Sequence, residues 1–224
     1  MIRVGVVGFA NRGRCCYPWI LSSTGPDDMK TEVLTPCADP VETEQVAAET
    51  RLWLERAVIG LNLCPFAKAV HVKRQIRFAI TGAASADELL AELRHELALL
   101  SRAKPELIET TLLIHPLALR DFVEYNLFLP HAEATVRRLG FEGVMQIASF
   151  HPHYEFAGGA SDNIENYTNR SPYPVLHLLR EASVARAVAA FPDAADIFEK
   201  NIVTMRQLGL EGWYRLWMSK DANS

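Results

Sequence analysis

The chain has 224 residues and a net charge of −4, long enough for one domain with a sizeable core. Its 49% hydrophobic and 22% charged residues are those of an ordinary globular protein, and the mild acidity offers no general field for nucleic acid. No apolar run reaches the roughly 20 residues that span a bilayer. Arg12 and Arg14 cut short the N-terminal apolar stretch before it becomes a secretory signal. The expected location is the cytoplasm, where Cys15, Cys16, Cys37 and Cys64 stay reduced.

Residues 1–40 differ from the rest. Residues 1–9 have strand character, but Gly5, Gly8 and Gly13 lack the G-x-G-x-x-G spacing of a dinucleotide turn. Pro18, Gly25, Pro26, Pro36 and Pro40 then keep the stretch irregular. It is read as a poorly ordered extension, with Met29 as the alternative start. Residues 41–218 form the expected single domain and 219–224 a tail.

A helix begins near Val41 and ends around Gly60 and Asn62. Pro65 suits the first position of the next helix, which puts Cys64 at its N-cap. There the helix dipole, helped by Lys68, favours a thiolate. Alternation over 72–80 predicts a strand. Ser85 and Glu88 form a capping box before the stripe Leu89, Leu93, Leu97 and Leu100. A second strand covers 109–115. A helical region over 119–139 is expected to split or kink at Pro130. A third strand covers 143–150. After the loop 151–173, helices are expected over 174–190 and 194–208, with Gly209 as a stop. The order β-α-β-α-β predicts the α/β class: a small, mostly parallel sheet flanked by helices. An α+β sheet with an antiparallel strand supplied from elsewhere stays open.

Two strands end alike, at His115-Pro116 and His151-Pro152. If they are parallel, both histidines stand at the carboxyl edge of the sheet, where α/β proteins bind ligands. His151 is the candidate acid/base; a metal ligand and a loop histidine bonded to a carbonyl are the alternatives. His153 would complete an H-x-H chelate with Glu155 or Asp162, but no third ligand is identified and no metal is assigned. His177 is placed on a helix as a packed residue. Cys64 has three readings: a nucleophile with His151 as its base, a haem thiolate, or a small buried hydrophobe.

The loop is polar and aromatic, which marks it as ordered and functional rather than disordered. Arg170 offers a planar fork for a carboxylate or phosphate. Asn166, Thr168, Asn169 and Ser171 either bind a ligand or hold their own turn. Tyr154 and Tyr173 read as an aromatic wall.

The segments GLNLCPFA (60–67), TTLLI (110–114), SFHPHYEFAG (149–158) and NYTNRSPYPVLHLLRE (166–181) resemble a bacterial family known as domain of unknown function 1415. The resemblance runs from about Val46 to Leu210 and implies a stand-alone bacterial protein. It brings no activity with it. Its motif positions here are Cys64, Pro65, His151, Pro152, Tyr154, Phe156, Asn166, Tyr167, Thr168, Asn169, Arg170, Ser171, Pro172, Pro174 and His177. The family pattern is often acidic at position 153 and does not usually hold histidine at 115.

Two functions are expected from the residues. One is a small-molecule enzyme with His151 as acid/base, Cys64 as nucleophile or second polar contact, and Arg170 as anion binder, helped by Asn166, Thr168, Asn169 and Tyr154. The other is a non-catalytic binding protein for a metal, haem or anionic metabolite. A third reading is an adaptor that uses Trp213, Tyr214 and Trp217. The sequence assigns no cofactor and no oligomeric state.

Overall fold

The computed structural model describes residues 31–33, 40–190 and 197–217. The expectations for residues 1–30 therefore lie outside the described residues. Five strands form one mixed sheet: β1 (Thr31–Val33), β2 (Ile76–Ile80), β3 (Thr110–Ile114), β4 (Met145–Phe150) and β5 (Val175–Arg180). Their order is β1-β2-β3-β5-β4. The first three strands are parallel to one another, and β5 is antiparallel to both β3 and β4. β1 lies within the stretch read as an extension, where no strand of the domain was expected.

β5 corrects the expected helix over 174–190. Residues 175–180 are a strand, and the helix α5 spans only Glu181–Ala190. The run Val-Leu-His-Leu-Leu has apolar residues at nearly every position. A strand covered on both faces has the same composition as a buried helix segment. Val175 turns to one core and Leu176 and Leu178 to the other, which is the period of two of a strand. The sheet is accordingly mixed rather than mostly parallel, as the α+β alternative allowed. His177 stands on β5 and not on a helix.

One face of the sheet is covered by α1 (Pro40–Trp53), α2 (Pro65–Val72) and α6 (Ile197–Arg215). Trp53, Val58, Val70, Met205 and Trp213 meet Phe78, Ile80, Leu112 and Ile114 there. The other face is covered by α3 (Ala86–Arg102) and α4 (Phe122–Arg138), with Leu89, Leu93, Leu97, Tyr125 and Phe128 against Ala79, Leu113, Leu176 and Leu178. At roughly 2 kcal/mol per fully buried aliphatic side chain, these two layers supply most of the stabilisation.

Local signals set the helix ends. The Ser85 hydroxyl accepts from the Glu88 amide, and the Glu88 carboxylate accepts from the Ala84 amide. Asp121 accepts from the amides of Val123 and Glu124 at the start of α4. α1 passes into a π-helical turn, Leu54–Ile59. Pro130 does not split α4; it occupies an exposed position in a continuous helix. Gly209 does not stop α6 but kinks it, with φ +62°. α2 runs to Val72, so the strand expected over 72–80 begins at Ile76.

Candidate functional site

β5 reverses direction twice over, so β3 and β4 run the same way although they do not touch. The carboxyl ends of both therefore share one edge, as the paired His-Pro endings require. The loop 151–173 lies along this edge. The His151 amide donates to the Asn169 carbonyl at 3.2 Å, and the His115 amide to the Pro174 carbonyl at 3.1 Å.

Both histidines are fully buried on the α4 face. A ring series runs from His115 to Tyr125 at 5.8 Å, on to His151 at 5.0 Å, then to Phe122 at 5.4 Å and Tyr154 at 5.3 Å. His151 Nε2 donates to the Leu119 carbonyl at 3.2 Å, and its Nδ1 accepts from the His153 amide at 3.1 Å. Both ring nitrogens thus have partners in the neutral tautomer. Leu119 takes φ +52° to present that carbonyl, a conformation β-carbon residues rarely adopt. Burial pushes the His151 pKa below its usual value. His115 Nδ1 donates to the Ala118 carbonyl at 3.0 Å, while its Nε2 has no partner among the described residues. Burial lowers its pKa to about 4.

His177 lies on the opposite face. Thr110 gives its hydroxyl proton to the Leu178 carbonyl, so it accepts from His177 Nε2, both at 2.7 Å. Burial alone brings this pKa to about 4.

The loop ties itself together. Asn166 is buried; its amide donates to the carbonyls of Ala160 and Ser161 and its oxygen accepts from the Phe156 amide. Thr168 donates to the Glu165 carbonyl and the Asn169 side-chain oxygen. Asn169 donates to the Ser149 carbonyl on β4. Ser171 donates to the Tyr173 carbonyl. Arg170 donates from Nε to the Tyr154 carbonyl at 3.3 Å and from an Nη to Ser161 at 2.7 Å. Its guanidinium carbon lies 4.1 Å from the centre of the Tyr167 ring. The predicted polar residues are thus brought together, and most of their hydrogen bonds close within the loop and onto β4.

Cys64 is the N-cap residue of α2, with Pro65 at the first position, as expected. Its pKa is raised, however. Burial outweighs the help of the Ala67 and Phe66 amides, which works against a thiolate and suits the small buried hydrophobe among the three readings. The residue packs against the α1–α2–α6 core, whereas His151 belongs to the ring cluster on the α4 face. No hydrogen bond joins Cys64 to His151, Asn169 or Arg170. His153 approaches His151 through its backbone amide, which occupies the Nδ1 that a chelate would need. Among the described residues no three His, Cys, Asp or Glu side chains gather as a metal site. No described helix is long and apolar enough to cross a membrane. Trp213 is buried against Tyr167, with ring centres 5.2 Å apart, so it is not an exposed adaptor residue.

Several contacts of this edge carried no advance signal. The Trp53 indole donates to the Arg170 carbonyl at 2.8 Å across 117 positions of sequence. Tyr173 donates to Glu49 at 2.6 Å, and burial followed by that carboxylate pushes its pKa up to about 12. Arg206 of α6 pairs with Glu165. An aromatic residue on an amphipathic helix looks the same whether it fills a core or anchors a loop.

No curated protein and no solved structure matches the chain. Residues 45–215 match the family described as "Protein of unknown function (DUF1415)". That span takes in β2 to β5, the loop 151–173 and all of α6. The chain therefore belongs to this family.

Proposed function

We propose that the protein binds a small anionic molecule at the loop 151–173, with Arg170 as the charge that receives it. The supporting observation is the state of Arg170. Its guanidinium lies over Tyr167 and donates to two neutral carbonyls, and no carboxylate among the described residues pairs with it. Carbonyls orient a guanidinium without cancelling its charge. The Trp53 indole holds the Arg170 backbone from below, so the fork is preorganised and a ligand pays little ordering entropy. Of the three ligand classes open to a binding protein, the anion is the one with a residue to receive it. Asn169, Thr168, Asn166 and Tyr154 serve this reading by holding the loop. Cys64 serves it as a packing residue.

A catalytic reading keeps His151 as acid/base. Its place at the carboxyl end of β4 favours that role, but Nδ1 would have to exchange the His153 amide for a substrate proton.

Thermal unfolding with inorganic phosphate, sulfate and citrate tests the proposal. An anion at a hundredfold excess over its dissociation constant adds about 2.7 kcal/mol, a rise of roughly 5–10 °C for a chain of this size. Arg170→Gln is expected to remove that rise, and Arg170→Lys to keep part of it. No rise with any of the three anions, or an equal rise in Arg170→Gln, overturns the proposal.

A further inference from the structure

Among the described residues, one face of α4 is left unused. Tyr125, Phe128, Ala132, Thr135 and Val136 are its buried residues. At about 100° per residue, Val123, Leu127, Pro130 and Ala134 fall on the opposite side. Val123 and Leu127 are 65% and 69% exposed, high values for two apolar residues one turn apart. Glu124, His131 and Arg138 recur at seven-residue steps along one border of this stripe, and all three are exposed. No side chain among the described residues pairs with any of them.

The geometry points to a second copy of this chain as the occupant, the two α4 helices packing antiparallel about a two-fold axis at His131. In an antiparallel helix pair, the same border of each helix meets its counterpart. Glu124, seven residues before the axis, then faces Arg138 of the second copy, seven residues after it. Two-fold symmetry repeats the pair, so both unpartnered charges are satisfied twice. A parallel pairing would set this border against the opposite border of the second copy, so Glu124 and Arg138 would not meet. Between the borders, Leu127 of each copy covers the small Ala134 side of the other, and Pro130 lies near the axis. A helix of 17 residues is about 25 Å long. One such pair covers less than the ~1,600 Å² of a standard interface, so the expected dimer dissociates in the micromolar range.

Sedimentation velocity on the full chain, from micromolar to near-millimolar concentration, decides the matter. The expected result is a monomer–dimer equilibrium. Glu124→Arg and Arg138→Glu each weaken it by about tenfold or more, and the double swap restores it. Leu127→Glu leaves a monomer. All three positions are on the surface, and circular dichroism verifies that each of the four variants is folded. A wild-type monomer throughout the range overturns the inference. A dimer indifferent to Leu127→Glu, or a double swap that fails to recover, does so equally.

Discussion

Beneath α1, α2 and α6 the buried polar groups are neutral and closed: His177 gives its proton to Thr110, and Trp53 gives its own to the Arg170 carbonyl. Beneath α3 and α4 the sheet buries full charges, Arg77 and Glu96, at 2.8 Å with both side chains almost wholly inaccessible. Among the described residues, open valences lie on that same face, at His115 Nε2, Thr111 Oγ1 and Arg180 Nε. The first face is held by bonds that each satisfy both partners. The second relies on one expensive pair and leaves three polar atoms unused. The loop 151–173 joins them, since Tyr167 and Tyr173 pack on the first face and Tyr154 joins the rings of the second.

The largest expected effect breaks the charged face. Glu96→Ala removes the carboxylate that balances the buried charge of Arg77 and should cost about 3–5 kcal/mol in urea unfolding. Replacing both partners by leucine should recover most of that loss, because no charge is then buried. If Glu96→Ala costs less than about 1 kcal/mol, the pair is not what the second face depends on.

Acid should strain both faces. Unfolded, His115 and His177 take up protons as the pH falls through 6.5; folded, they do so only near 4. The unfolded state therefore binds more protons between those values. Stability is full above about 6.5 and declines down to about 4, by roughly 3 kcal/mol for each histidine. His115→Phe should flatten half of this slope at a modest cost at neutral pH, since the bond lost from Nδ1 to the Ala118 carbonyl is partly offset by removing the unpartnered Nε2. His177→Phe should flatten the other half at a larger cost. Equal costs at neutral pH would erase the distinction between the faces.

The smallest effect is expected at the joint. Asn166→Ala removes three hydrogen bonds inside the loop and leaves the Phe156 amide without its partner. The expected loss is about 1–3 kcal/mol, with faster hydrogen exchange at Phe156 and little change in β2 and β3. Faster exchange throughout the sheet would mean that the loop holds both faces and not only itself.

The parts legible in the sequence are those with a local cause. Ser85 and Glu88 announce α3, and Pro65 with Cys64 announces α2. The twin His-Pro endings announce the edge that β3 and β4 share. β5 was not legible, because a strand buried on both faces has lost the alternation that identifies strands. The burial that raises the Cys64 pKa is not displayed in the sequence, which shows only the helix dipole and so leaves its three readings open. Arg77 with Glu96 and Trp53 with Arg170 depend on contacts far apart in the chain, and no spacing encodes them. The polar loop was found easily, but its bonds turn inward, so a rich set of donors marks a well-ordered segment as readily as a binding surface.

The place of β5 also governs the order in which the molecule can be built. Among the described residues β4 pairs only with β5, and β5 also closes the open side of β3. As the chain leaves the ribosome, β4 emerges some 25 residues before the strand that completes it, a delay of about 1–5 s at ordinary synthesis rates. During that interval β1, β2 and β3 can assemble with α3, while β4 and the edge of β3 stay unpaired. A chain that ends before Arg180 never leaves that state, and its two bare edges are the surfaces through which it would aggregate.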